Sequence, residues 1–278
     1  MVEARWICAC MVSVCQDIHI KAAERGGSMI VWITGASSGL GEELARQYAR
    51  AGHEVCVSAR SSDALESLEE SCRLMQGTIH VFPLDITDMQ QVEACFAELS
   101  TKVGVPDLAV LNAGTHTENP VKDFDRDVYQ RLMNINFMGT VNCLQALIPA
   151  FITRQKGDIA VVSSVAGYRG LPKASAYGAS KAALINMCEA LQPELAVSGI
   201  KLRLVNPGFV RTPLTDQNEF DMPFLMEVDA AAARMVSSLA KDGFEITFPR
   251  RFTWMLKVLR IIPYALYLRL TRKLLRDV

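Results

Sequence analysis

Tyr177 and Lys181 stand four residues apart in Tyr-Gly-Ala-Ser-Lys, a spacing that puts both side chains on one face of a helix, one turn apart. A phenol with a reference pKa of about 10 is a poor acid or base at neutral pH. A neighbouring ammonium favours its ionised form, so Lys181 is placed to tune Tyr177 for proton transfer. Ser164 lies upstream in Val-Val-Ser-Ser, at the end of an apolar strand, where its hydroxyl can hydrogen-bond a substrate oxygen as charge builds there. Taken alone, a Tyr-x-x-x-Lys pair is usually a solvated contact on a helix surface, so its weight depends on what accompanies it.

What accompanies it is a phosphate-binding turn. The apolar run Met29-Ile30-Val31-Trp32-Ile33 leads into Thr34-Gly35-Ala36-Ser37-Ser38-Gly39-Leu40-Gly41, and a helix starts there. Glycines at such a strand-to-helix turn let backbone N–H groups approach a pyrophosphate, whose charge then sits at the positive end of the helix. The spacing G-x-x-x-G-x-G differs from the commoner G-x-G-x-x-G, and no Gly-Lys-Ser/Thr follows to make a Walker loop. Glycine-rich turns also serve merely to pack a helix closely on its strand.

Cofactor choice is read at the end of the second strand, Val55-Cys56-Val57-Ser58-Ala59-Arg60-Ser61. NAD-binding proteins place a carboxylate there to bind the ribose 2′-hydroxyl. Here the position is Ala59, and Arg60 next to it offers a fork that matches a 2′-phosphate, with Ser61 as a second donor, so NADP(H) is the expected cofactor. The competing reading is an Arg60 merely solvated at a strand end.

With these residues in hand, the chain resembles the short-chain dehydrogenase/reductase family over residues 29–212, and more weakly to residue 249. Further motifs in family order carry the resemblance: Asp85 and Ile86 after the third strand, Asn112-Ala113-Gly114 after the fourth, Asn136 in Asn-Ile-Asn-Phe-Met-Gly, and Asn206-Pro207-Gly208-Phe209-Val210-Arg211-Thr212. The resemblance implies a Rossmann-type doubly wound fold and interconversion of a ketone or aldehyde with an alcohol. It implies that Ser164, Tyr177, Lys181 and Asn136 are catalytic, Asn136 holding a water that relays protons to Lys181. It further implies that Lys181 holds the nicotinamide ribose, Thr212 contacts the carboxamide, and Asp85 and Ile86 contact adenine. An Asp after a strand is also a common helix cap. Where the family often has two Asn before Ala-Gly, this chain has Leu111-Asn112, and Leu111 is expected to continue a buried strand. The family keeps its substrate lid where this chain has residues 213–226, and Phe220, Met222, Phe224, Leu225 and Met226 there favour a hydrophobic substrate. Reduction of 3-oxoacyl or 3-keto sphingoid substrates is one alternative within the class. A non-catalytic NADP-binding scaffold or sensor is another, although its usual mark, loss of the Tyr or Lys, is missing.

The elements that must position these groups are legible as alternation. Strands rich in Val and Ile fall near 29–34, 54–59, 78–83, 107–112, 158–163, 200–205 and 244–248, with helices near 39–51, 62–75, 88–102, 124–153 and 174–198. This α/β alternation predicts one domain over 29–249, built on a seven-stranded, mostly parallel sheet covered on both faces. Gly52 and Gly199 fall where a helix end needs a left-handed residue.

Charge and cysteine usage narrow the partners. The 278 residues carry 29 Lys and Arg against 30 Asp and Glu, so no global basic field invites nucleic acid. Eight cysteines without a CxxC pair suit reduced thiols in the cytoplasm, and the four histidines, His19, His53, His80 and His116, are too dispersed to suggest a metal. Residues 1–28 read as a disordered extension. Their nine-residue apolar run, Trp6 to Val14, is too short to span a bilayer, and Val14 before Cys15 is too large for the small residue that a cleavage site wants.

The balance hides an asymmetry: residues 249–278 hold eight Lys/Arg and one Asp. A helix from Pro263 would line up Leu266, Leu270 and Leu274 apart from a basic stripe of Arg269, Arg272, Lys273 and Arg276. Two readings stay open, a helix lying in a membrane interface and an amphipathic helix packed on its own domain or on a partner subunit. The family often forms dimers through its long fourth and fifth helices, which makes a homodimer the expected assembly if this chain follows it.

Overall fold

The computed structural model describes residues 27–216 and 222–273. Strand β1 (Ile30–Thr34) sends Val31 and Ile33 to one face of a sheet and Trp32 to the other, and all three are fully buried. A strand apolar on both faces needs cover on both, which is the condition for a parallel sheet between two helical layers. The sheet has seven parallel strands in the order β3-β2-β1-β4-β5-β6-β7, the others being β2 (Glu54–Ser58), β3 (Thr78–Val81), β4 (Leu108–Leu111), β5 (Gly157–Val162), β6 (Ile200–Pro207) and β7 (Glu245–Phe248).

β1 pairs with β2 on one side and β4 on the other, so chain direction across the sheet reverses there and a crevice opens beyond the C-terminal ends of β1 and β4. Helices α1 (Gly39–Arg50), α2 (Ser62–Cys72), α3 (Met89–Lys102), α4 (Arg126–Leu132), α5 (Gly139–Arg154) and α6 (Ser175–Val197) follow the spacing read from the sequence. Gly52 and Gly199 take left-handed φ of 85° and 74°. Leu111 is buried in β4 as expected.

Two departures matter for function. The helix expected over 124–153 is interrupted: between α4 and α5, Met133–Met138 forms a π-helical turn, with Gly139 N–H bonded to the carbonyl of Asn134. Such a wide turn re-aims side chains within an otherwise continuous helix, and here it carries Asn136. Arg126–Arg154 is also long and apolar enough to cross a membrane, but its Cys143, Leu144, Leu147 and Phe151 are buried against the sheet. The second departure is helix α7 (Val228–Leu239), where no helix is expected from the sequence. It makes the crossover that parallel β6 and β7 require, burying Ala231, Ala232, Met235, Val236 and Leu239.

After β7 come α8 (Arg250–Ile261) and α9 (Tyr264–Lys273). Five cysteines, Cys56, Cys72, Cys95, Cys143 and Cys188, are buried free thiols. Residues 1–26 of the expected extension, Phe220 of the lid, and Leu274 and Arg276 of the tail lie outside the described residues.

Candidate functional site

The crevice holds a cavity of about 510 Å³ that runs from Arg60 and Ser61 at the end of β2, past Gly35–Leu40, to Ser164, Tyr177 and Lys181. Its floor is bare backbone. A Cβ on Gly35 would stand 2.6 Å from Ala113 Cα, and one on Gly41 would stand 2.2 Å from the Gly35 carbonyl oxygen. Gly35 also holds φ at 69°. Only glycine fits both positions, Gly35 on the turn and Gly41 in the first turn of α1. Thr34 Oγ1 accepts from the N–H groups of Asn112 and Ala113 at 3.1 and 3.2 Å, and Asn112 Nδ2 donates to the carbonyls of Thr34 and Gly35. The first and fourth strand ends are thereby tied into one cradle, whose exposed backbone and helix N-terminus suit a dinucleotide.

Ser37, Ser38, Gly39, Leu40, Asp85, Ile86, Asn112, Ala113, Gly114, Pro207, Gly208, Val210 and Thr212 also line the cavity. Thr34, Gly41 and Asn136 stand just behind its wall and shape it through the contacts described. Asp85 is not the helix cap that its position allowed: Asp88 caps α3, accepting from Gln90 and Gln91 N–H, while Asp85 Oδ1 accepts from Thr87. Ser61 does cap α2, accepting from Ala64 N–H. Its hydroxyl hydrogen remains available at the cavity.

At the other end, β5 and α6 are stitched together. Ser163 Oγ donates to the Lys181 carbonyl at 2.8 Å, and Lys181 Nζ donates to the Val162 carbonyl at 3.0 Å. Ser164, the next residue on that strand end, lines the cavity together with Tyr177. Asn136 is fully buried; its Oδ1 accepts from Thr115 N–H at 2.7 Å and its Nδ2 donates to the Thr115 carbonyl and to Ser180 Oγ. A Cβ on Gly114 would lie 3.2 Å from Asn136 Oδ1 and 3.4 Å from Lys181 Nζ, so the absent side chain keeps these groups adjacent.

Burial dominates the electrostatics of the pair. Lys181 Nζ is 5.8 Å from the centroid of the Tyr177 ring, and burial pushes the phenol up, with the Ser164 hydroxyl working against it. Burial also acts on Lys181 itself, lowering it to about 8. Burial thus favours the neutral phenol and weakens, without removing, the charge on Lys181 at neutral pH.

His116 was missed by motif reading. Its ring meets Tyr177 edge-on at 4.7 Å, and burial lowers its pKa, which keeps the imidazole neutral at physiological pH. The only signal in sequence was its place two residues beyond Gly114, on the loop that must pass over the site.

Comparisons with known proteins converge on one family. The short chain dehydrogenase profile matches residues 29–222. An uncharacterized oxidoreductase of Myxococcus xanthus is 33% identical over 242 residues, covering 87% of this chain and 96% of its own length. A short-chain dehydrogenase from Sphingobium yanoikuyae, solved in complex with NADPH, superposes with a TM-score of 0.73 at 25% identity, over 85% of this chain and 97% of that one. A variant of actinorhodin polyketide ketoreductase, solved with NADPH, superposes with a TM-score of 0.72 at 25% identity, over 80% of this chain and 95% of that one.

Proposed function

Because this chain belongs to the short chain dehydrogenase family, we propose that it is an NADP(H)-dependent oxidoreductase interconverting a carbonyl and an alcohol on a hydrophobic substrate. The observation that carries the reaction is the meeting of Ser164, Tyr177 and Lys181 at one end of a cradle lined by Gly35 and backed by Gly41. When bound, the reduced nicotinamide supplies hydride to the carbonyl carbon.

Tyr177 holds the proton that the carbonyl oxygen must receive, and its raised pKa keeps that proton in place across neutral pH. Ser164 Oγ accepts from Ala166 N–H at 3.1 Å, which orients its own hydroxyl as a donor to the substrate oxygen. Lys181 would hold the nicotinamide ribose and Thr212 the carboxamide. Asn136 would hold the water that leads to Lys181.

Arg60 supports NADP(H) over NAD(H). It is exposed at the adenosine end of the cavity, beside Ala59, where a carboxylate would have repelled a 2′-phosphate. The bound NADPH of two structural relatives points the same way. A hydrophobic substrate is favoured by the aromatic rings of Phe209, Phe252 and Phe224, which stack in series at 5.5 and 5.9 Å next to Gly208.

Titration with NADPH and NADH, followed by nicotinamide fluorescence, tests the cofactor assignment. NADPH is expected to bind at least about tenfold more tightly, the worth of one charge-assisted hydrogen bond. Equal affinities overturn it.

A further inference from the structure

The C-terminal helices α8 and α9 carry apolar residues where a soluble surface should not have them. Eight of the fifteen large apolar side chains exposed among the described residues lie between 254 and 270. On α8 they are ordered: Phe252, Leu256 and Leu259 turn inward, while Trp254, Val258 and Ile261 follow i, i+4, i+7 along the opposite face, 71%, 46% and 81% exposed. Between residues 249 and 273 there are seven Lys and Arg and no Asp or Glu. On α9 the buried Tyr267 fixes the inward side, so Arg269, Arg272 and Lys273 point away from the body.

The pair is fastened to the protein at two places. Arg169 donates to the carbonyls of Leu259, Arg260 and Ile262 at the end of α8, and its guanidinium lies 3.9 Å from the centroid of the Tyr267 ring. Tyr267 in turn donates to the Gly170 carbonyl at 2.5 Å. These partners belong to the loop between Ser164 and Tyr177. At the other end, Phe252 packs on Phe209 and Phe224, beside Gly208 and the lid segment. The outward apolar stripe is therefore held in fixed relation to both segments that flank the reacting groups.

We propose that α8 and α9 dock the protein on an anionic lipid surface, with Trp254, Val258 and Ile261 entering the interface and Arg269, Arg272 and Lys273 meeting lipid phosphates. An outward apolar stripe together with Arg269, Arg272 and Lys273, which have no acidic partner among the described residues, fits that occupant, since a bilayer surface offers both an apolar layer and negative charge. Self-pairing of two such faces would set Arg269, Arg272 and Lys273 against their own copies, whereas Lys257 is already paired with Glu245. The docking stands apart from the reaction proposed above, but it would bring the substrate entrance to a lipophilic carbonyl dissolved in the bilayer.

The full-length chain is tested by co-sedimentation with vesicles of phosphatidylglycerol and phosphatidylcholine, and of phosphatidylcholine alone. Binding is expected only with the anionic lipid, and it weakens as salt shortens the Debye length. Arg269→Glu/Arg272→Glu/Lys273→Glu should cut partitioning by roughly 100-fold or more, taking about fivefold per basic residue near the surface. Trp254→Ser/Ile261→Ser should also release the protein. Both variants are expected to keep wild-type mass by light scattering, wild-type melting, and wild-type turnover of a water-soluble ketone. Absence of vesicle binding by the intact chain overturns the proposal, as does binding unchanged in a folded variant. A change of oligomer mass in either variant assigns the face to a second copy instead. Turnover is read separately, so failure of the docking and failure of the proposed reaction remain distinguishable.

Discussion

Lys181 Nζ points its hydrogen bond at the carbonyl of Val162, 3.0 Å away, and stands 5.8 Å from the centroid of the Tyr177 ring. The ammonium is thus spent on the end of β5, in a position so buried that its pKa falls to about 8. Relative to an unfolded reference of about 10.4, the folded state binds the proton more weakly. Charging Lys181 therefore opposes folding below pH 8, and the opposition fades as pH rises from 8 toward the unfolded value.

Lys181→Met is accordingly expected to abolish turnover while becoming relatively more stable at neutral pH. The stability difference between variant and wild type should shift by roughly 2 to 3 kcal/mol between pH 7 and pH 10, the wild type gaining as pH rises. Denaturant unfolding at the two pH values measures it. A difference that does not change with pH would mean that Lys181 is not held in a dry site.

Removal of the Tyr177 hydroxyl in Tyr177→Phe should lower turnover by about 10²- to 10⁴-fold and leave NADPH affinity nearly unchanged. Because burial raises the phenol pKa, carbonyl reduction should hold its rate across neutral pH, whereas alcohol oxidation, which needs the phenolate, should rise toward alkaline pH. Steady-state profiles in both directions check this. A reductive rate that falls below neutrality would place the proton donor elsewhere.

Arg60→Ala and Gly41→Ala should separate the two ends of the cofactor cradle. The first is expected to weaken NADPH by about ten- to a hundred-fold and spare NADH. The second forces a Cβ to 2.2 Å from the Gly35 carbonyl oxygen, so it should weaken both cofactors together and destabilise the fold by about 1 to 3 kcal/mol. Fluorescence titration with each cofactor, beside thermal melts, distinguishes the patterns.

Asn136→Ala removes a side chain that holds Thr115 and Ser180 from inside a π-helical turn. Three hydrogen bonds are lost, two at half-buried Thr115 and one at buried Ser180, at about 1 to 3 kcal/mol for each group left unsatisfied. Turnover is expected to fall more than stability explains, because the loop bearing Gly114 and His116 loses its tie. Rates measured well below the melting temperature separate the two effects.

Sequence patterning carried much of this architecture because both faces of the central sheet are buried, so β1, β2, β4 and β5 announce themselves as short apolar runs, while the edge strands β3 and β7 alternate polar and apolar residues. The glycines of the cradle and the Tyr-Lys pair were legible because each answers to a backbone or helical constraint on spacing. What escaped was tertiary. The π turn at Met133–Met138 leaves the apolar periodicity of its helix almost undisturbed. The contact of His116 with Tyr177 joins a loop to a helix far apart in the chain. Helix α7, by contrast, had a local signal in its run of four alanines, and the parallel crossover between β6 and β7 demanded it. The pKa directions at Tyr177 and Lys181 depend on burial, which the spacing of the two residues does not reveal.

The central claim is that Tyr177 drives NADPH-dependent carbonyl reduction on hydrophobic substrates. It is tested most directly by following loss of NADPH absorbance over a panel of ketones of graded chain length, with wild type and Tyr177→Phe side by side. Turnover by the wild type that improves with chain length and collapses in Tyr177→Phe is the expected result. No NADPH consumption with any ketone, or consumption equal in the two proteins, would contradict it.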